Sequence, residues 1–194
     1  MAGVEIAETL LQWAPPLRRV RYARCGAAGD FPLPRQILEE TWSDPEIYLG
    51  RLTYRRITRA LDEGGEPRIV EDALIGYGPD GLTDLGVFED GKLSLFEPAQ
   101  VVLPPEVVVG ATWTDEHTRS GRTSTRTVEL LASNEFGNGI VSVAEVKRAD
   151  GLLILRTHFI EGDGYFGYEA LVQAPERPTV RTWTEAVSVT TRVD

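Results

Sequence analysis

The stretch GIVSVAEVKRADGLLILRTHFIEGDGYFGYEALVQ, residues 139 to 173, decides the fold class. Three runs rich in Val, Ile, Leu, Thr and Tyr are cut at RADG (148–151) and EGDG (161–164). Gly and Asp tolerate positive φ, so such clusters mark turns, and the β-branched and aromatic runs between them read as strands. The same texture extends outward. Upstream lie EIYLGRLTYRRIT, RIVEDALIGYG, GLTDLGVFED, KLSLFEP and TSTRTVELL, and downstream lies RTWTEAVSVTTRV. DEGGEP, GPDG, EDGK and SNEFGNG separate them. No 3.6-residue period is convincing after residue 45. The sequence therefore predicts an all-β body.

Only the N-terminal segment differs. Residues 4 to 13 space Val4, Ile6, Leu10, Leu11 and Trp13 as on a short amphipathic helix, which Pro15 and Pro16 end. The basic cluster that follows, Arg18, Arg19, Arg21 and Arg24, reads as a charged strand or connector answering acidic neighbours.

A phrase recurs along the chain. LPRQILEETWSD and PPEVVVGATWTD lay Pro34 on Pro105, Thr41 on Thr112, Trp42 on Trp113 and Asp44 on Asp115, seventy-one residues apart. The same shift lays Gly50 on Gly121, Arg51 on Arg122 and Arg55 on Arg126. With a slip of one residue, Asp80-Gly81-Leu82 meets Asp150-Gly151-Leu152. A small curved sheet cannot bury its apolar face alone, but two copies can close on each other. The expectation is a single domain: helix and connector at 1–28, β repeats at 31–101 and 102–172, and a C-terminal strand at 179–193. The duplicated antiparallel sheet is expected to form an open barrel or a sandwich. Trp42 and Trp113 should be equivalent and mostly buried.

The Pro-Leu stretch leading to Gly110-x-x-Trp113 resembles the half-openings of a loose group of bacterial β-rich proteins with no assigned activity. The likeness covers roughly residues 31 to 170, and Glu39 stands where the first half should carry the glycine. The resemblance implies a fold and no chemistry.

Charge and motif content narrow the function classes. The net charge of −10 disfavours nucleic acid and anionic membrane as partners. No apolar run reaches transmembrane length, and the acidic start lacks the pattern of a signal peptide, so the chain as it stands reads as cytoplasmic, or as exported if such a signal has been removed. Cys25 is the only cysteine, which excludes an internal disulfide. His117 and His158 are the only histidines, and in a strand at most Asp115 and His117 of the contiguous Asp115-Glu116-His117 share a face, so no metal site is expected. No phosphate loop, dinucleotide fingerprint or nucleophile elbow occurs, and no cofactor is expected.

What remains is a cavity. The leading expectation is a non-catalytic protein that holds an apolar or amphipathic small molecule between two β units, with residues 4 to 13 as a plug or lid. The alternatives are a cofactor-free cyclase or isomerase and a partner-binding module that docks through a strand edge. Trp42, Trp113, Tyr165, Tyr168 and Arg156 are the candidate ligand contacts, with His158 and Glu145 as candidate proton-transfer groups. Asp150-Gly151 is expected to form a two-residue hairpin turn. That turn would oppose Glu145 to Arg156 and Val143 to His158, with Ala144, Val146, Leu153, Leu155 and Phe159 on the core face.

Overall fold

A computed structural model describes residues 4, 6–14, 18–61, 66–134, 139–148, 151–162 and 164–191. One short helix, α1 (Glu8–Trp13), precedes the strands. They run as β1 (Arg18–Ala28), β2 (Phe31–Trp42), β3 (Glu46–Tyr48), β4 (Arg51–Ala60), β5 (Arg68–Gly78), β6 (Gly81–Glu89) and β7 (Lys92–Leu103). The rest are β8 (Thr112–Arg119), β9 (Arg122–Ser133), β10 (Gly139–Arg148), β11 (Gly151–Ile160), β12 (Gly164–Gln173) and β13 (Val180–Thr191). No helix among the described residues is long and apolar enough to cross a membrane.

The pairing is antiparallel throughout: from β3 to β13 each strand pairs with the next in sequence, and β1 pairs with both β2 and β13. The pairing of β2 with β4 closes the ring into a 12-strand barrel. The short β3 continues the line of β2 along β4. Of the two architectures expected, the barrel is the one formed, and it closes rather than staying open. The basic segment at 18–28 is one of its staves, not a connector.

Alternation along the strands sets inside from outside. On β9, Ser124, Arg126, Val128 and Leu130 turn inward, while Thr123, Thr125, Thr127 and Glu129 are exposed. Over residues 122–129 of this strand the outer face is polar, unlike the apolar outer band of a barrel that faces lipid. The interior core gathers Tyr54, Ile75, Tyr77, Leu130, Ile140 and Phe159. Tyr54 meets Trp42 and Tyr77 edge-on, with centroids 6.0 and 5.7 Å away.

Helix α1 lies across the barrel end that carries the β11–β12 turn and the β7–β8 connection. The Thr9 hydroxyl donates to the Pro105 carbonyl at 2.7 Å, and the Gly162 N–H donates to the Gln12 carbonyl at 2.8 Å. Gln12 also donates to Glu161. Leu10 is wholly buried in the core beneath, with Ala14 beside it. Six residues are too few to hold a helix in water, so this packing, not local propensity, maintains it.

The ring has a thin seam. The described pairing between β7 and β8 narrows to Glu97 with Thr118. Arg126 laces this seam from inside: it donates to Asp115 on β8 at 3.1 and 2.5 Å and to the Val101 carbonyl on β7 at 2.8 Å.

The hairpin register between β10 and β11 differs from expectation. Val143 faces Arg156, Val141 faces His158, and Glu145 faces Ile154. Arg148 pairs with Gly151, whereas Ala149 and Asp150, the latter half of the expected turn pair, lie outside the described residues. Gly151 therefore belongs to the strand. A Cβ there would lie 2.1 Å from the Gln173 carbonyl oxygen of β12. The glycine answers that approach rather than the turn, which is why Asp-Gly misplaced the register by a residue at each strand. The core face, by contrast, is as expected: Ala144, Val146 and Phe159 are buried and Leu155 lines the interior.

Candidate functional site

Alternation brings polar side chains from six strands into one region of the barrel. Glu40 (β2), Thr58 (β4) and Glu71 (β5) are direct cross-strand neighbours on the inner face. Arg56 sits one inward position further along β4, between Trp42 and Ala73, and Asp84 on β6 opposes Ile75. Tyr22 on β1 and Tyr168 on β12 complete the wall, edge to face at 6.3 Å.

Between these groups lies a partly open cavity of about 330 Å³. Its polar side carries Tyr22, Glu40, Arg56, Glu71, Asp84 and Tyr168. Its apolar side carries Ile75, Tyr77, Leu82, Val102, Leu155 and Phe159. Ala14, just after α1, lines it from the capped end. Glu71 keeps about half of its side chain exposed while Glu40 and Tyr22 are buried, so the cavity reaches solvent at the level of Glu71.

The electrostatics of this wall are uneven. Arg56 donates to Glu71 at 2.7 Å, and the Trp42 Nε1 donates to Glu40 at 2.8 Å. Asp84 makes no such contact among the described residues: its Oδ1 is fully shielded and lacks a hydrogen-bond partner. Burial raises the Asp84 pKa, helped by Glu71 and opposed by the guanidinium groups of Arg56 and Arg126. Burial likewise pushes the Tyr22 hydroxyl far up, reinforced by Glu40. Both shifts favour the neutral, proton-bearing form of the group.

A second interior cluster lies by the seam. His117 Nδ1 is 3.8 Å from Asp115 Oδ1, beyond hydrogen-bond reach, and has no partner. Its ring meets Phe96 edge-on at 5.4 Å. Burial lowers the His117 pKa, with Arg126 adding to the effect and Asp115 opposing it. Asp115 and His117 do share a face, yet no group of three or more metal-ligating side chains occurs among the described residues.

The residues singled out from the sequence separate into three sets. Trp42 and Tyr168 line the cavity. Trp113 packs against the same core, half-buried like Trp42, without lining the cavity; its Nε1 is shielded and has no partner. The Tyr165 side chain lies outside the described residues. Arg156, His158 and Glu145 are corrected in position. The cavity face of β11 carries Leu155, Thr157 and Phe159, so Arg156 and His158 point to the opposite face, with Glu145 opposite Ile154 on that face. Arg156 there meets Glu169 at 3.7 Å, not Glu145.

Asp84, Glu40, Glu71, Arg56 and Tyr22 escaped the sequence reading. One signal was available for Asp84. In GLTDLGVF it shares the inward alternation with Leu82, and an acid at a core position is costly unless it has a role. The other four sit in runs whose Arg and Glu density hid which ones face in. Comparison of the chain with family models, curated proteins and solved structures found no match.

Proposed function

We infer that this protein binds an amphipathic small molecule inside its barrel. The observation that carries this reading is the cavity of about 330 Å³, lined by both apolar and ionisable side chains. Pockets of such size and make-up bury a ligand's body while a few polar groups fix its orientation. The helix supports the same reading: α1 caps one end, so exchange with solvent runs past Glu71. The barrel itself reads as two copies of a β unit, 31–101 and 102–172, closed by β13 and β1. Matching strand bounds at the seventy-one-residue offset support that origin.

A neutral environment-sensitive naphthalene dye tests the reading. Its emission should rise and shift to the blue with the wild-type protein. Leu155→Trp, which fills the cavity from an already lining position, should abolish the change while preserving the circular dichroism of the fold. Native mass spectrometry of freshly purified protein should show a small-molecule adduct that the same variant lacks. Dye binding undiminished by Leu155→Trp would place the site elsewhere.

A cofactor-free isomerase or cyclase is the second reading, and one observation favours it. Asp84 is a buried carboxyl with a raised pKa, in contact with the cavity, as general acids are. That reading requires turnover that Asp84→Asn removes without loss of dye binding.

A further inference from the structure

The cavity wall is unbalanced in charge. Three carboxyl groups, Glu40, Glu71 and Asp84, face it against the single guanidinium of Arg56. Arg56 is engaged by Glu71, and Glu40 accepts from Trp42. Asp84 Oδ1, by contrast, has no hydrogen-bond donor among the described residues. It is shielded from solvent, and the surface the residue retains opens onto the cavity rather than onto bulk water. A carboxyl in this setting needs either its own proton or a donor from outside, because an unsatisfied buried polar group is costly.

We propose that the occupant of the cavity is an amphipathic amine, its protonated amino group lodged against Asp84 and its apolar body against Ile75, Tyr77, Leu82 and Phe159. This rests on the reading of the barrel as a small-molecule binder and names the chemistry of what it binds. The groups around the amine come from every wall. Glu71 on β5 and Glu40 on β2 add negative potential, which an ammonium group relieves and a carboxylate would aggravate. Tyr22 and Tyr168, on β1 and β12, offer aromatic surface beside the same space, and ring faces attract cations. Arg56 on β4 and Arg126 on β9 oppose the amine. Each is held by its own carboxylate, Glu71 and Asp115, at 2.7 and 2.5 Å.

The proposal includes a proton. In the empty cavity burial outweighs the pull of Arg56 and Arg126 and raises the Asp84 pKa, which favours the form that carries a proton. An ammonium group replaces that proton as the positive partner, so the proton leaves to solvent as the amine enters. Amine affinity therefore rises with pH until the amine itself loses its charge.

Three probes that share one flat apolar body test this: naphthylmethylamine, naphthalenemethanol and naphthoate, titrated by calorimetry into the full-length protein. The amine should bind at least about tenfold more tightly than naphthoate. Its heat should vary with the ionisation enthalpy of the buffer, which reports proton release. Asp84→Asn should remove both the preference and the proton release. Glu71→Gln, at a half-exposed position that folding tolerates, should weaken the preference and serves if Asp84→Asn does not fold. Naphthalenemethanol or naphthoate binding as tightly as the amine would overturn the amine assignment and leave the binding cavity standing. An amine preference that both variants retain would also overturn it, by placing the recognition elsewhere. Failure of all three probes and of the neutral dye would overturn the binding reading as well.

Discussion

At the scale of single residues, two interior ionisable groups set how this barrel responds to pH and to mutation. Burial raises the Asp84 pKa in the folded state, while in the unfolded chain it ionises at the ordinary carboxylate value. A raised folded pKa contributes stability that is complete below the unfolded value and is lost as pH rises through the folded one. Asp84→Asn should therefore raise the melting temperature at neutral pH, with the gain fading toward about pH 4. A gain independent of pH would exclude titration of Asp84 as its cause. Arg126 presents the opposite case. It is buried, bonded twice to Asp115 and once to the Val101 carbonyl. Arg126→Met leaves Asp115 without its partner and opens the β7–β8 seam, and should cost about 3–5 kcal/mol in urea denaturation. Replacing Asp115 by Leu as well should recover part of that loss, because no buried charge is then left uncompensated. Residues such as these are hard to read from sequence. Arg55 and Arg126 occupy matching places in the repeated phrase, yet Arg55 bonds Asp72 with its guanidinium over the Phe88 ring on the outer face, while Arg126 is buried inside. One residue of difference in register exchanges the two environments.

At the scale of elements, most strands were legible as runs between Gly-Asp clusters, but β2, β8 and the break between β3 and β4 at Leu49-Gly50 were not, and neither was register. The seventy-one-residue offset lays β4 through β7 closely onto β9 through β12. It also lays the turn Leu49-Gly50 onto Ser120-Gly121, all four residues at positive φ. Facing is preserved between β5 and β10, where Ala73 and Ile75 match the inward Ala144 and Val146, but is reversed between β4 and β9. An offset of five strands in an antiparallel ring also inverts chain direction. Equivalent turns thus fall at opposite ends of the barrel, which no pattern of residue types announces. The two strand-starting glycines make the clearest correspondence. A Cβ on Gly81 would lie 2.0 Å from the Leu103 carbonyl oxygen, and one on Gly151 lies 2.1 Å from that of Gln173. In each case the obstacle is backbone of the next strand and cannot swing away. Gly50 has a positive φ but nothing within 4 Å of its would-be Cβ. Gly81→Ala and Gly151→Ala should each destabilise by more than the about 1–2 kcal/mol that left-handed strain alone imposes at Gly50→Ala. Equal losses at all three positions, measured in one denaturant series, would show that the strands relax to admit the extra carbon.

At the scale of the whole molecule, the ring of strands and its plug have separate tasks. The barrel wall is built by alternation and could be anticipated from the runs between Gly-Asp turns. The position of the cavity within it could not, because it depends on which end the N-terminal segment covers. Helix α1 lies outside residues 31–172 and covers the end of the β11–β12 turn, so the two ends of the barrel differ. Leu10 is the anchor: it is fully buried against barrel residues, although it belongs to a helix too short to persist alone. Leu10→Ala should cost about 2–5 kcal/mol if the helix stays in place around the void. If the helix instead lets go, the equilibrium cost falls toward the low end of that range, because the chain escapes the void by exposing Ala14 and Trp13. The two outcomes differ in what they do to the cavity. A retained helix leaves the second mouth shut and dye dissociation unchanged. A released helix opens that mouth, and dye should then leave the barrel faster than from wild type. Stopped-flow dissociation beside urea denaturation of Leu10→Ala separates them. The expected result is faster release, because without the anchor the segment keeps only the small or partly buried contacts of Ile6, Ala7, Trp13 and Ala14 beside its hydrogen bonds at Thr9 and Gln12. A variant with wild-type release and a full stability loss would show the contacts to Pro105, Glu161 and Gly162 to be sufficient to keep the end closed.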